Sequence, residues 1–177
     1  MISLKLKHCW LIFLLLIVSQ PLFSQNVSRE NQLKAAFLYN FSQFVTWPDD
    51  AFSNSSSPIA IGVLGENPFG PVLNDLVKDQ KINGRNLTVK YFSNPDEIEG
   101  VQLLFVAKDF DKNKEVILSL RKRDILLVSD HVQFLSNGGM IRFYTEDNRL
   151  KFQINLDATQ VEHFKISSKL LKMASIY

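Results

Sequence analysis

The chain has 177 residues, of which 46% are hydrophobic and 21% charged, and its 20 basic and 18 acidic side chains leave a formal net charge of +2. This composition predicts one globular domain with a substantial core, because a disordered chain would carry fewer apolar residues. The small and scattered positive charge excludes a basic nucleic-acid-binding surface, and a single cysteine excludes a disulfide scaffold or a cysteine-rich metal site.

Residues 1–24 have the layout of a secretory signal peptide. Two lysines precede an apolar run from Cys9 to Val18, and a short polar segment leads to Ser24. The run is shorter than the roughly 20 apolar residues that cross a bilayer. We therefore expect export to the periplasm with cleavage near Ser24-Gln25, and a mature domain, residues 25–177, that is not embedded in the membrane. An uncleaved anchor is the alternative. Cleavage would remove the only cysteine and both excess positive charges, and would leave a neutral domain.

The mature chain begins with an amphipathic helix. Apolar residues recur at three- and four-residue intervals from Leu33 to Phe44, and Ser28 is placed to cap the helix. A buried strand is predicted at 59–64, and Pro68 and Pro71 introduce a helical pattern through 72–77. The next predicted elements are strands at 87–92, 101–107 and 125–129, a turn at Asn83-Gly84, a turn or short helix at 95–99 and a charged helix at about 112–122.

Strands that alternate with helices predict crossover connections and a mostly parallel sheet flanked by helices. Strand patterns at 140–145 and 150–156, joined by a tight loop, predict an antiparallel hairpin at the sheet edge. From Asp157 onwards a helical pattern has Ile166, Leu170, Met173 and Tyr177 on one face. The expected fold is a single α/β domain with a central, mostly parallel mixed sheet, a C-terminal antiparallel hairpin and a terminal helix.

Two loops are candidate walls of a ligand crevice, because open α/β sheets bind ligands beyond the carboxyl ends of their strands. The first loop follows the strand at 59–64 and contains Gly65, Glu66, Asn67, Phe69 and Gly70. The second follows the strand at 125–129 and contains Ser129 and Asp130. The alternative interpretation of the first loop is a plain turn with Phe69 in the core. The alternative for the second loop is an ordinary strand end at which Asp130 caps the next turn.

Catalytic equipment is not apparent in the sequence. Ser129, Asp130 and His131 are consecutive, and consecutive residues on an extended chain point in different directions. His163 is the only other histidine of the mature chain, and no HxH or HExxH spacing is present. We expect no enzyme activity, no metal and no cofactor, and an exported hydrolase built on Ser129 and His131 is the least favoured alternative.

Three side chains are candidate contacts for a partner protein. Trp47 follows the first helix, where an exposed tryptophan would form a binding hot spot and a buried one would anchor the helix. Arg85 and Arg142 each lie beside a turn or strand, where a guanidinium can reach a carboxylate or phosphate. The exposed face of the last helix is a further candidate, and a homodimer is left open.

Several blocks occur in order along nearly all of the mature chain. They are Ala35-Ala36-Phe37-Leu38-Tyr39-Asn40-Phe41, Phe44-Val45-Thr46-Trp47-Pro48, Ile61-Gly62-Val63-Leu64-Gly65 with Pro68-Phe69-Gly70, Asn83-Gly84-Arg85, Leu126-Leu127-Val128-Ser129-Asp130, Gly138-Gly139-Met140-Ile141-Arg142-Phe143, Phe152-Gln153-Ile154-Asn155 and Ile166-Ser167-Ser168-Lys169-Leu170-Leu171-Lys172-Met173-Ala174. Together they resemble the YfiR-like family of periplasmic regulatory proteins.

The resemblance implies an exported α/β domain without enzymatic activity. Such a domain binds the periplasmic part of a membrane-bound diguanylate cyclase or similar sensor and restrains it, which lowers cyclic-di-GMP and biofilm formation. Members of the best-known type also carry disulfide-forming cysteines that make inhibition redox-sensitive. This chain has no cysteine after Cys9, so redox sensing through its own thiols is excluded. A second departure from the family pattern is Gln153, which stands where a glutamate is expected. The alternative function is a periplasmic sensory domain that binds a small molecule in the crevice.

Overall fold

A computed structural model of the protein describes residues 27–177 apart from 109, 111–113 and 161–163. The predicted signal segment, its cleavage site and His163 lie outside the described residues. The first helix, α1, covers Arg29–Phe44, and the Ser28 side chain accepts a hydrogen bond from the backbone N–H of Asn31 at 3.2 Å. The predicted N-cap is thereby confirmed.

The other elements follow the predicted alternation of strands and helices. In chain order they are β1 (Val45–Thr46), β2 (Ile59–Leu64), α2 (Val72–Val77), β3 (Lys81–Ile82), β4 (Arg85–Phe92), β5 (Leu103–Val106), α3 (Lys114–Arg121), β6 (Leu126–Ser129), β7 (Ile141–Glu146), β8 (Arg149–Ile154), α4 (Leu156–Gln160), β9 (Lys165–Ile166), α5 (Ser168–Met173) and β10 (Ser175–Ile176), with short 3-10 helices at Asp49–Ala51 and Pro95–Glu97.

A mixed sheet of eight strands forms the centre of the domain, in the order β10-β8-β7-β6-β5-β2-β4-β3. From β4 to β7 all neighbours in this order are parallel, whereas β8 is antiparallel to β7 and β3 is antiparallel to β4. β2, β5 and β6 are buried along their whole length, as expected of parallel strands covered on both faces. The expected single α/β domain with a mostly parallel mixed sheet is confirmed.

A cluster of four phenylalanine rings holds α1 against the sheet. Phe37 and Phe41 come from α1, and they meet Phe143 of β7 and Phe152 of β8. The Phe41 ring stacks on Phe143 at 5.7 Å between centroids and meets Phe152 edge-on at 5.0 Å. Because Phe41 is completely buried at the middle of this cluster, it fixes the position of the helix relative to the sheet.

The C-terminal region differs from the expectation in two ways. The predicted single helix is wrong: Ile166 lies in β9, which pairs antiparallel with β1, and α5 begins only after Ser167, whose side chain caps it. Met173 and Tyr177, predicted to lie on the same helical face as Leu170, are 54% and 60% exposed, whereas Leu170 is buried. The hairpin of β7 and β8 is also not the outermost part of the sheet, because β10 pairs in parallel with β8.

Candidate crevice at the carboxyl ends of the central strands

A crevice of about 540 Å³ lies beyond the carboxyl ends of β2, β5 and β6. Its walls come from the first turn of α1, from the end of β5 and from the three loops that follow these strands. They are formed by Asn31, Glu66, Pro68, Phe105, Ala107, Lys108, Asp130, His131 and Val132. The volume falls within the roughly 300–1,000 Å³ that is typical of small-molecule sites.

The position of the crevice follows from the strand order. Counted along the chain, the five parallel strands are arranged as second, first, third, fourth and fifth, the order of flavodoxin-like sheets. After β4 the chain returns across β2 and continues on its other side with β5. The loops after β2 and β5 therefore diverge, and a crevice opens at this switch point, which is where ligands bind in such sheets.

The loop after β2 contributes Glu66 to the crevice and uses its other predicted residues to hold its shape. Gly65 has a φ of 91° and donates its N–H to the Phe92 carbonyl at 2.9 Å. The Asn67 side chain accepts from the Phe69 N–H at 2.9 Å and donates to the Gly70 carbonyl at 3.2 Å. This turn leaves the Glu66 side chain in solvent at the rim.

Phe69, a predicted crevice residue, instead lies in the core. Its ring is fully buried and meets Phe105 edge-on at 4.9 Å between centroids. The alternative interpretation of this residue was therefore the better one. The contact still matters for the crevice, because Phe105 is one of its walls and Phe69 supports it from behind.

The loop after β6 does not assemble a catalytic pair. Ser129 is fully buried, and its hydroxyl meets the backbone N–H of His131 at 3.4 Å rather than the imidazole ring. Nδ1 of His131 accepts a hydrogen bond from the Gln133 N–H at 3.3 Å, so the neutral ring carries its proton on Nε2. Ser129 is therefore neither accessible nor activated by the imidazole. Of the two residues predicted in this loop, Ser129 and Asp130, only Asp130 lines the crevice.

Lys34 is a buried cation that the sequence interpretation missed. Its side chain is 6% exposed, and its ammonium group lies 2.7 Å from a Glu30 carboxylate oxygen and 2.6 Å from Oδ2 of Asp130. Burial alone would lower the pKa of Lys34, but the hydrogen bonds to Asp130 and Glu30 outweigh it and raise the pKa above its ordinary value of 10.5. This cluster ties α1 to the end of β6 at the wall of the crevice.

The raised pKa of Lys34 predicts a loss of stability at alkaline pH. The native state holds this proton more tightly than the unfolded chain, so the contribution is fully present below about pH 10.5 and is lost as pH rises through the folded-state pKa. Urea unfolding at about pH 8 and about pH 11 should show a larger loss for the wild type than for Lys34→Met. Equal losses in the two proteins would contradict the prediction.

The two candidate arginines are engaged within the domain. Arg142 donates from Nη1 to the Val132 carbonyl at 3.1 Å and from Nη2 to Oε1 of Gln153 at 2.7 Å. It therefore fastens the loop after β6 to the hairpin. Arg85 donates to the Asn54 and Ser57 carbonyls, in the loop that precedes β2, and its guanidinium lies 3.8 Å from the centroid of the Phe52 ring.

Trp47 is also a core residue rather than a surface one. It is 7% exposed, and its indole N–H donates to the Gln102 carbonyl at 3.1 Å. Such a tryptophan anchors the end of α1 to the sheet, which was the second of the two interpretations open for it. The contact surface proposed below therefore does not include Trp47.

Gly139 allows the loop after β6 to close against the domain. A Cβ atom at this position would lie 2.3 Å from the ring of Phe134, which is itself fully buried. Only glycine permits this approach. The loop is thus well supported, and Val132 projects from it as the most exposed of the large apolar side chains in the described part of the chain, at 71%.

These features define a small α/β domain with a crevice of mixed polar and apolar lining at the switch point of its sheet. Within the described ranges, no group of three or more His, Cys, Asp or Glu residues could hold a metal ion. The family model described as YfiR/HmsC-like matches residues 31–175, so the chain belongs to the YfiR/HmsC-like family. The resemblance stated from the sequence is thereby confirmed.

A search of the curated proteins finds no match to this chain. In the part of the chain that the structure describes, no helix has both the length and the apolar character needed to cross a membrane.

Proposed function

We propose that the protein is an exported, non-enzymatic regulator. It binds the periplasmic part of a membrane-bound signalling protein, a diguanylate cyclase or similar sensor, and restrains its activity. The match to the YfiR/HmsC-like family over residues 31–175 carries this proposal, because that family suggests a periplasmic regulator of a diguanylate cyclase. The buried and unactivated Ser129 supports a role other than hydrolysis.

The proposed mechanism is a difference in affinity for two states of the partner. A bound regulator favours the inactive state only to the extent that it binds that state more tightly. A hundredfold reduction in the ratio of active to inactive partner requires a preference of about 2.8 kcal/mol. An interface of modest size supplies this energy without covalent chemistry. The well-supported loop after β6 offers a surface for such an interface.

We place the partner contact at the loop after β6, around Val132. Val132 exposes an apolar side chain. Two hydrogen bonds hold the loop that carries it: Arg142 donates to the Val132 carbonyl, and the Asn155 amide donates to the Leu135 carbonyl at 3.3 Å. A loop held in one conformation loses little entropy on binding. Arg142 acts here as a positioning residue, while Arg85 remains a separate candidate contact.

The cellular concentration of cyclic-di-GMP tests this proposal directly. Deletion of the gene should raise cyclic-di-GMP, and the wild-type protein should restore the original level. Val132→Glu should fail to restore it, because a charge replaces the exposed apolar contact, although the exported protein still folds. Ile176→Glu is the matched control, since Ile176 is 52% exposed on the outermost strand, β10, and should restore the level fully. Unchanged cyclic-di-GMP after deletion would overturn the proposal.

A second proposed role is small-molecule binding in the crevice. The observation that favours it is the location of a 540 Å³ crevice at the switch point of the sheet, lined by side chains from four separate segments. The two roles meet at Val132, which belongs both to the crevice wall and to the proposed contact surface.

A further inference from the structure

We infer that the crevice binds a neutral, polyhydroxylated small molecule of the sugar class. This inference rests on the second proposed role, that the crevice holds a small molecule, and it does not depend on the identity of the membrane partner. It is carried by the presence of both signs of charge in the crevice, by the hydrogen-bonding atoms left open there and by the support of two of its loops.

Charges of both signs line the crevice. Glu66 and Asp130 supply negative charge and Lys108 supplies positive charge, while the Lys34 ammonium group lies between Asp130 and Glu30. A ligand with a net charge of either sign would therefore meet at least one like charge on entering. A phosphorylated ligand is opposed in particular by Glu66, which lies in the loop between β2 and α2. A neutral ligand meets no such opposition.

The open hydrogen-bonding atoms include acceptors as well as donors. Among the described contacts, the Glu66 carboxylate has no partner, and Asn31 uses its amide N–H on the Pro68 carbonyl, which leaves its oxygen open as an acceptor. Donors are the Lys108 ammonium group and the Nε2–H of His131. A hydroxyl group both donates and accepts, so a molecule with several hydroxyls satisfies both sets at once.

The charged side chains of the crevice strengthen the hydrogen bonds that a neutral ligand can form there. A hydroxyl that donates to the Glu66 carboxylate or accepts from Lys108 makes a charge-assisted hydrogen bond, which is stronger than one between neutral groups. The ring carbons of a sugar need apolar surface, and Pro68 and Val132 supply it at the rim. The crevice therefore offers each kind of contact that a polyol presents.

Hydrogen bonds within the domain hold two of the loops that form the crevice. The Asn31 amide holds the loop after β2 through the Pro68 carbonyl at 3.1 Å, and Arg142 holds the loop after β6 through the Val132 carbonyl. The Lys34 cluster joins α1 to Asp130. Since these loops need no ordering when a ligand enters, little of the binding energy is lost to conformational entropy.

Calorimetric titration of the exported protein tests the inference with probes matched in shape and different in charge. The neutral probes are glucose and N-acetylglucosamine, and their charged counterparts are glucose 6-phosphate and glucosamine respectively. We expect at least one neutral sugar to bind with a Kd in the range of about 1 mM or tighter, and its charged counterpart to bind at least about tenfold more weakly.

Variants locate the site. Glu66→Ala should weaken the binding of the neutral sugar about tenfold, because it removes a charge-assisted hydrogen bond. Glu97→Ala, which removes an exposed carboxylate from the 3-10 helix after β4, is the control and should leave the affinity unchanged. Binding that is insensitive to Glu66→Ala would overturn the assignment of the site.

The remaining outcomes separate the ligand class from the second proposed role. Tighter binding of a charged probe, still weakened by Glu66→Ala, would overturn the sugar class and leave the crevice as a small-molecule site. The absence of binding for every probe would overturn both. The regulatory role is measured through cyclic-di-GMP and is not affected by either result.

Discussion

Replacement of Phe41 with alanine should lower the free energy of unfolding by about 3–5 kcal/mol. Phe41 is fully buried and contacts the rings of Phe37, Phe143 and Phe152. Its removal would leave a cavity between α1 and the hairpin, and the neighbouring rings could fill it only by giving up their own packing contacts. Small domains have total stabilities of about 5–15 kcal/mol, so this single change removes a large fraction.

Urea unfolding of Phe41→Ala measures this effect against two graded controls. Phe37→Ala should cost clearly less, because Phe37 is only partly buried although it lies in the same cluster. Phe41→Leu should also cost less, since it retains most of the apolar contact with β7 and β8. Similar losses for Phe41→Ala and Phe37→Ala would contradict the central position assigned to Phe41.

The parallel strands could be predicted closely because their sequence signal is local and unusually clear. The strand from Ile59 to Leu64 is buried at every residue, and its uninterrupted apolar run reflects a position covered on both faces. Ser28 signals the start of α1 with equal clarity, since an N-cap acts within three residues of itself. Such features need no knowledge of distant parts of the chain.

The two-residue strands could not be predicted in the same way. β9 and β10 exist because β1 and β8 offer backbone partners, and nothing in the residues of a two-residue strand encodes that pairing. The helical spacing from Ile166 to Tyr177 was a real pattern, but backbone pairing and the cap at Ser167 broke the expected helix into shorter elements.

The crevice was found only in part from sequence. Glu66 and Asp130 could be placed by the rule that ligands bind beyond strand ends, and Lys108 follows β5 and satisfies the same rule. Asn31 and Lys34 could not be placed, because α1 reaches the crevice through tertiary packing. The spacing of Glu30 and Lys34 signals an ion pair on a helix, but nothing local indicates that Asp130 completes it.

The shared position of Val132 connects the two proposed roles. A ligand that contacts the crevice side of the loop after β6 would act on the same backbone that presents Val132 to the partner. If binding of the ligand changes affinity for the partner, the partner must change affinity for the ligand by the same factor. The regulator would then report a periplasmic small molecule without any thiol chemistry of its own, which suits a chain with no cysteine after Cys9.

Removal of both carboxylates around Lys34 should be the second large perturbation. In Glu30→Gln/Asp130→Asn the ammonium group stays buried, with a 6% exposed side chain, but has lost both negative partners. An uncompensated buried charge of this kind costs about 3 kcal/mol of folding free energy at neutral pH. Urea unfolding of the double variant and of the wild type measures this loss.

Lys34→Met in the same background identifies the cause of the loss. Methionine keeps an unbranched side chain of similar length in the space between α1 and the loop after β6 while removing the charge, so the triple variant should regain most of the lost stability. Recovery would show that the unpaired ammonium group is responsible rather than the two amides. A triple variant as unstable as the double variant would show instead that Glu30 and Asp130 stabilise the fold through contacts other than those with Lys34.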